Sequence, residues 1–196
     1  TPYQNNFTLG SYEQNPQTPD ATWPQEAGHV VKQENTSEYG YFAGWGAQAY
    51  VQDRSHGGYQ ICNDYVRKMV HVNAAELFLV YDRVTLASGY TTLAKNWHIH
   101  CLNSPTVNGR AYNFTNSGYK LWGQSVLPAS GVSLSTNHIT DGSSYEVIVS
   151  TNNSQATDYM LNVLQVTPSG QGSVTTPVAV QATSGRILSG GLDSNA

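Results

Sequence analysis

The sequence predicts an all-β protein: an antiparallel β-sandwich of two stacked, twisted sheets with an extended N-terminal arm. Three observations lead there. Short runs rich in Val, Ile, Tyr and Thr recur at roughly 8–15-residue spacing. Prolines fall between these runs and most glycines do too. No window of ten or more residues combines helical spacing with caps.

In chain order, residues 1–27 hold four of the eight prolines and many Asn and Gln. This segment reads as an arm that wraps a core or leaves it, with residues 28–196 as the sandwich domain. Inside the arm Phe7, Leu9 and Tyr3 share one parity, as a strand burying one face would. Tyr39 to Val51 then alternates aromatics with Gly and Ala. Two strands follow, Tyr65 to Val72 and Leu77 to Val84. Their link, Asn73-Ala74-Ala75-Glu76, has room for one helical turn and demands an antiparallel pair, because a parallel crossover needs a dozen or more residues. The rhythm continues through Leu93 to Leu102, a hairpin turn at Asn108-Gly109, and Tyr119 to Leu127. It resumes at Val132 to Thr136, Tyr145 to Ser150, Tyr159 to Val166 and Val178 to Gln181. A meander of adjacent strands is the simplest order. No constant-period repeat exists, which argues against propellers and solenoids.

Charged residues make up only 11% of the chain, and 9 Lys plus Arg against 13 Asp plus Glu give a net charge of −4. No basic cluster is present, so nucleic acid is excluded as a partner. No apolar run reaches the ~20 residues of a transmembrane segment, and the chain reads as soluble and already processed. A polar surface of Ser, Thr, Asn and Gln points to a secreted or cell-surface protein. Asn6, Asn35, Asn113 and Asn152 each begin an Asn-x-Ser/Thr triplet and are glycosylation candidates. Cys62 and Cys101 have two readings. In an oxidising compartment they can pair, with a stabilisation on the order of 3–4 kcal/mol; otherwise they are buried thiols acting as small hydrophobes.

Several ordered blocks carry a family resemblance. They are Tyr41-Phe42-Ala43-Gly44 with Ala49-Tyr50, Asn63 to Val72 with Arg67, and Glu76 to Val84 ending in Tyr-Asp-Arg-Val. Downstream come Lys95 to His100 followed by Asn103-Ser104-Pro105 and Val107-Asn108-Gly109, then Lys120-Leu121-Trp122 to Pro128, and Asp158 to Leu164. From about Ala27 to Val166 the chain resembles the C-terminal β-sandwich half of heparinase II/III-like polysaccharide lyases. That resemblance implies a β-sandwich fold and a polysaccharide context. In the family, catalysis draws on an α-helical toroid and a His-x-His-x-Asp segment at the start of the β half. Here the one His-x-His is His98-Ile99-His100; Leu102 occupies the carboxylate position, and the segment follows the Tyr-Asp-Arg-Val strand instead of preceding it. The resemblance therefore implies no catalytic residues in this chain.

His98 and His100 share a strand face and can bind a metal if Asp82, His71 or Glu76 completes the set. The alternative is a pair of hydrogen-bonded, partly buried histidines. Apart from that ion no cofactor is expected. Asp82 and Arg83 face opposite sides of one strand, and cross-strand pairing with Arg67 or Lys68 accounts for them without catalysis. Among the aromatics, Trp45, Tyr41, Trp97 and Trp122, with Tyr39 and Tyr119, are candidates for a platform on which sugar rings stack. Trp45 leads, because Gly44 and Gly46 leave it uncrowded.

Three functions follow as expectations. The first is a secreted, non-catalytic sandwich that is structural or contacts a polysaccharide. The second is a subunit of an extracellular fibre or pilus-like polymer, in which the arm adds as a strand to another copy of the chain. The third is a fragment of a complete uronic-acid polysaccharide lyase.

Overall fold

The structure, a computed structural model, describes residues 7–10, 28–52, 59–139, 144–151, 155–172, 179–181 and 187–189. Its strands are β1 (Phe7–Leu9), β2 (His29–Asn35), β3 (Tyr39–Trp45), β4 (Val51–Gln52), β5 (Tyr59–Gln60), β6 (Cys62–Val72), β7 (Leu77–Leu86) and β8 (Lys95–Cys101). They continue with β9 (Thr106–Asn108), β10 (Ala111–Asn116), β11 (Tyr119–Leu127), β12 (Val132–Ile139), β13 (Ser144–Thr151), β14 (Thr157–Pro168), β15 (Ala179–Gln181) and β16 (Ile187–Ser189). Two antiparallel sheets form the sandwich, one of four strands in the order β1-β8-β13-β12 and one of eight in the order β2-β3-β6-β7-β14-β11-β10-β9. The expected β-sandwich is thus borne out. Two further pairs, β4-β5 and β15-β16, stand outside these sheets.

Local chemistry explains most of the turns. Between β6 and β7 the expected helical turn is a single 3-10 turn, Asn73–Ala75, closed by Glu76 at φ 46°. Asn108 pairs with Ala111, so the two-residue loop is Gly109-Arg110, one residue later than the Asn108-Gly109 turn read from the sequence. Gly109 takes φ +60° at the first central position, where glycine avoids the Cβ clash. Ser117 and Gly118, both at positive φ, join β10 to β11 as a twist-matched hairpin loop.

The meander holds for β2, β3, β6 and β7, and for β9, β10 and β11, but fails at two places. β8 leaves for the smaller sheet, and β14 returns to pair with both β7 and β11. Strand alternation then divides the faces. In β8, Lys95, Trp97, Ile99 and Cys101 are buried between the sheets while Asn96, His98 and His100 face out. The core combines Phe7, Leu9, Trp97, Val147 and Val149 of one sheet with Tyr65, Val84, Tyr112 and Met160 of the other. Phe7 stacks on Tyr65 at 5.3 Å between ring centroids, and the Tyr50 hydroxyl donates to the Phe7 carbonyl at 2.8 Å. The strand parity expected for Phe7 and Leu9 is therefore realised in β1, which lies along the outer edge of β8.

Cys62 and Cys101 are free thiols, so the disulfide reading is corrected. Cys62 lies opposite Leu86 in the large sheet and Cys101 opposite Tyr145 in the small one. Burial pushes their pKa values up to about 12 and about 11, which keeps both protonated and unreactive at neutral pH.

Candidate carbohydrate-contact surface

Strand register sorts the candidate residues by face. On the outer face of the eight-stranded sheet one row runs His29, Trp45, Val66, Arg83 and Tyr159 across β2, β3, β6, β7 and β14. The next row is Lys32, Ala43, Lys68, Tyr81, Leu161 and Leu127, and the one after carries Glu34, Tyr41, Val70, Leu79 and Val163. Trp45 and Tyr41 are thus brought together at one end of this face. Trp122 shares the face but lies in the row of Tyr39, Val72, Leu77 and Gln165, toward the opposite corner. Tyr119 is exposed at the start of β11.

Three of the rings on this face have a lysine over them. Lys32 Nζ lies 5.8 Å from the centroid of Tyr41, Lys68 Nζ 5.9 Å from that of Tyr81, and Lys120 Nζ 4.0 Å from that of Trp122. Tyr81 and Tyr159 stack at 6.4 Å, and Tyr159 is 48% exposed. Arg83 is held by Asp64 at 2.8 Å. Trp45 is half-buried, tilts against His29 at 5.3 Å and rests on the core cluster, so it is more crowded than its flanking glycines suggest. Trp97 is corrected outright: it is 3% exposed and packs on Tyr112 between the sheets. Tyr81, Tyr159 and the paired lysines did not emerge from the sequence. Tyr81 and Arg83 share a parity that could have flagged them, but nothing local shows that β14 lies alongside.

The metal set is also corrected. Among the described residues no group of three or more His, Cys, Asp or Glu side chains is arranged to hold a metal ion. Asp82 points into the sandwich from β7, where Arg67 donates Nε and Nη2 to its two oxygens at 2.7 and 3.1 Å and Tyr65 donates at 3.0 Å. The cross-strand pairing with Arg67 is the one expected. Burial opposes the Arg67 charge, yet the neighbouring Asp82 raises its pKa overall.

His98 and His100 instead meet Glu146 of β13 on the outer face of the small sheet, both at Oε2, at 3.0 and 3.2 Å. Asn137 donates to Glu146 Oε1 at 3.0 Å, and Thr8 Oγ1 lies 3.0 Å from His98 Nε2. When neutral His98 donates from Nδ1, its Nε2 accepts the Thr8 hydroxyl, which links β1 to the network. Burial pushes the Glu146 carboxyl up, but the hydrogen bonds from Asn137 and His98 outweigh this and hold it below its ordinary 4.5. A carboxyl lowered on folding contributes stability above its unfolded pKa and loses it as pH falls through the folded value. The melting temperature is therefore expected to fall as pH drops below about 4.5, with a shallower fall in Glu146→Gln, measured by thermal unfolding across pH 3–6.

Of the glycosylation candidates, Asn35 is exposed at the end of β2 and Asn113 is half-buried within β10; Asn6 and Asn152 lie outside the described residues. Among the described residues no helix is long and apolar enough to cross a membrane.

No family model matches the chain, and no curated protein matches it in sequence. Solved structures do match in fold. Heparan sulfate lyase HepC from Pedobacter heparinus aligns over 92% of this chain and 26% of its own, with TM-score 0.62 and 14% identity. A crystal structure of heparinase III covers 95% of this chain and 28% of its own, with TM-score 0.63 and 14% identity. A heparinase III gene product with methylated lysines covers 90% and 25%, with TM-score 0.63 and 10% identity. The chain spans about a quarter of the length of these proteins. The resemblance carried by the sequence blocks is borne out at the level of fold: this chain has the β-sandwich found within the heparinase III and HepC lyases.

Proposed function

We propose that the chain is a secreted, non-catalytic β-sandwich module that contacts polysaccharide through the outer face of its eight-stranded sheet. The observation that carries this reading is the row Trp45, Arg83 and Tyr159 with the Lys68–Tyr81 and Lys32–Tyr41 pairs beside it. From β3 to β14 is three strand spacings, about 14 Å across the sheet. Flat rings suit the C–H faces of pyranoses, while the cations beside them suit carboxylate or sulfate groups. The lyases named above, which share the fold, give the reading its polysaccharide context.

Calorimetric titration with acidic and neutral polysaccharides tests it. Tyr159→Ala is expected to weaken binding of an acidic polymer about tenfold, the scale of one aromatic contact, while the loss of its stacking on Tyr81 lowers the melting temperature only slightly. No binding of any polysaccharide by the native chain would sink the proposal. Release of unsaturated products by the purified chain would instead favour the lyase reading and overturn the non-catalytic one.

A second reading, self-assembly by strand addition, draws support from β1, a three-residue edge strand whose Phe7 and Leu9 are wholly buried. Thr8 lies opposite Asn96. A Thr8→Cys/Asn96→Cys variant run on a non-reducing gel tests it: a covalent ladder supports exchange between copies, and a monomer crosslinked within itself counts against it.

A further inference from the structure

Four buried polar atoms cluster on the inward face of three adjacent strands of the large sheet. They are the Tyr112 hydroxyl oxygen, Ser125 Oγ, and both Nδ2 and Oδ1 of Asn162, and none has a hydrogen-bond partner among the described residues. Ser125 and Asn162 are 0% exposed and Tyr112 is 1% exposed. Register places Ser125 of β11 directly opposite Asn162 of β14, and Tyr112 of β10 opposite Gly123. Gly123 and Ser125 are two apart on one strand and so face the same way. Tyr112 lays its ring across Gly123, its hydroxyl 2.6 Å from where a Cβ at that position would stand. The hydroxyl, the serine and the amide are thus neighbours on one inward patch. Beside them the β11–β14 register breaks between Ser125 and Leu127, and such a bulge opens the ladder locally.

Asn162 sits where the pattern calls for an apolar side chain, between Met160 and Leu164 on the same face. Leaving its amide and two hydroxyls unsatisfied in the interior would be costly. The patch carries donors and acceptors but no charged side chain, so its ligand is small and neutral and both donates and accepts. We propose that the patch is an internal hydration site, holding at least one ordered water hydrogen-bonded to Asn162, Ser125 and Tyr112. A buried water typically makes about three hydrogen bonds, and these side chains supply that number.

Two measurements on the full chain test this. Water-to-protein NOE spectra are expected to show a long-lived water at the Asn162 side-chain amide; their absence would overturn the proposal. Tyr112→Phe keeps the ring and removes the hydroxyl. If that hydroxyl bonds water, the melting temperature falls by about 2–4 °C. If it is unsatisfied in a dry interior, the variant is at least as stable as the parent, and the hydration site is excluded.

Discussion

Lys95→Met is expected to lower the unfolding free energy by about 3–5 kcal/mol, measured by urea denaturation. Lys95 projects inward from β8, and its ammonium lies 2.7 Å from Asp158 Oδ2 of β14 and donates to the Gln155 carbonyl at 2.7 Å. The two side chains are 0% and 3% exposed, so the ion pair bridges the sheets almost entirely out of water. Methionine keeps most of the volume but removes the cation from beside a buried carboxylate. Adding Asp158→Leu removes the stranded charge, and the double variant is expected to recover a large part of the loss. If the double variant is as unstable as the single one, packing rather than charge accounts for the effect.

Gly123→Ala is expected to cost about 3 kcal/mol for a purely steric reason. A Cβ at this position would stand 2.1 Å from Tyr112 Cζ and 2.2 Å from Cε2. The tyrosine is 1% exposed with Trp97 beside it, so making room for the new methyl means moving a large ring within the interior. In a Tyr112→Ala background the same change at residue 123 is expected to be close to neutral, because the obstructing ring is gone. Denaturant midpoints of the four proteins in this cycle decide; an equal cost in both backgrounds would remove the explanation.

The strands and their faces were legible in the sequence wherever the information was local. The four-residue link after Val72 dictated the antiparallel β6-β7 pair, and the shared parity of Phe7 and Leu9 marked β1. What failed was long-range. Alternation put Trp97 on one face of β8 and His98 and His100 on the other without saying which faced inward. Lys95 shares the Trp97 face, and a lysine there argues for solvent until Asp158 is known to receive it. The metal set failed similarly: Asp82 and the histidines belong to different sheets, and the carboxylate the histidines reach, Glu146, sits on a strand that no spacing singles out. That Trp45 and Tyr41 share a face follows from parity within one strand, whereas placing Tyr159 on that face beside them required the return of β14 beside β7.

The placement of β1 has a mechanical corollary. It is the first described strand in the sequence, yet it forms the rim of the four-stranded sheet through only three residue pairs, Phe7–Trp97, Thr8–Asn96 and Leu9–Lys95. Tension applied at Phe7 therefore loads these three pairs first among the described residues. The two side chains plugged beneath that rim, Phe7 and Leu9, set how much pull the fold withstands before its interior is opened.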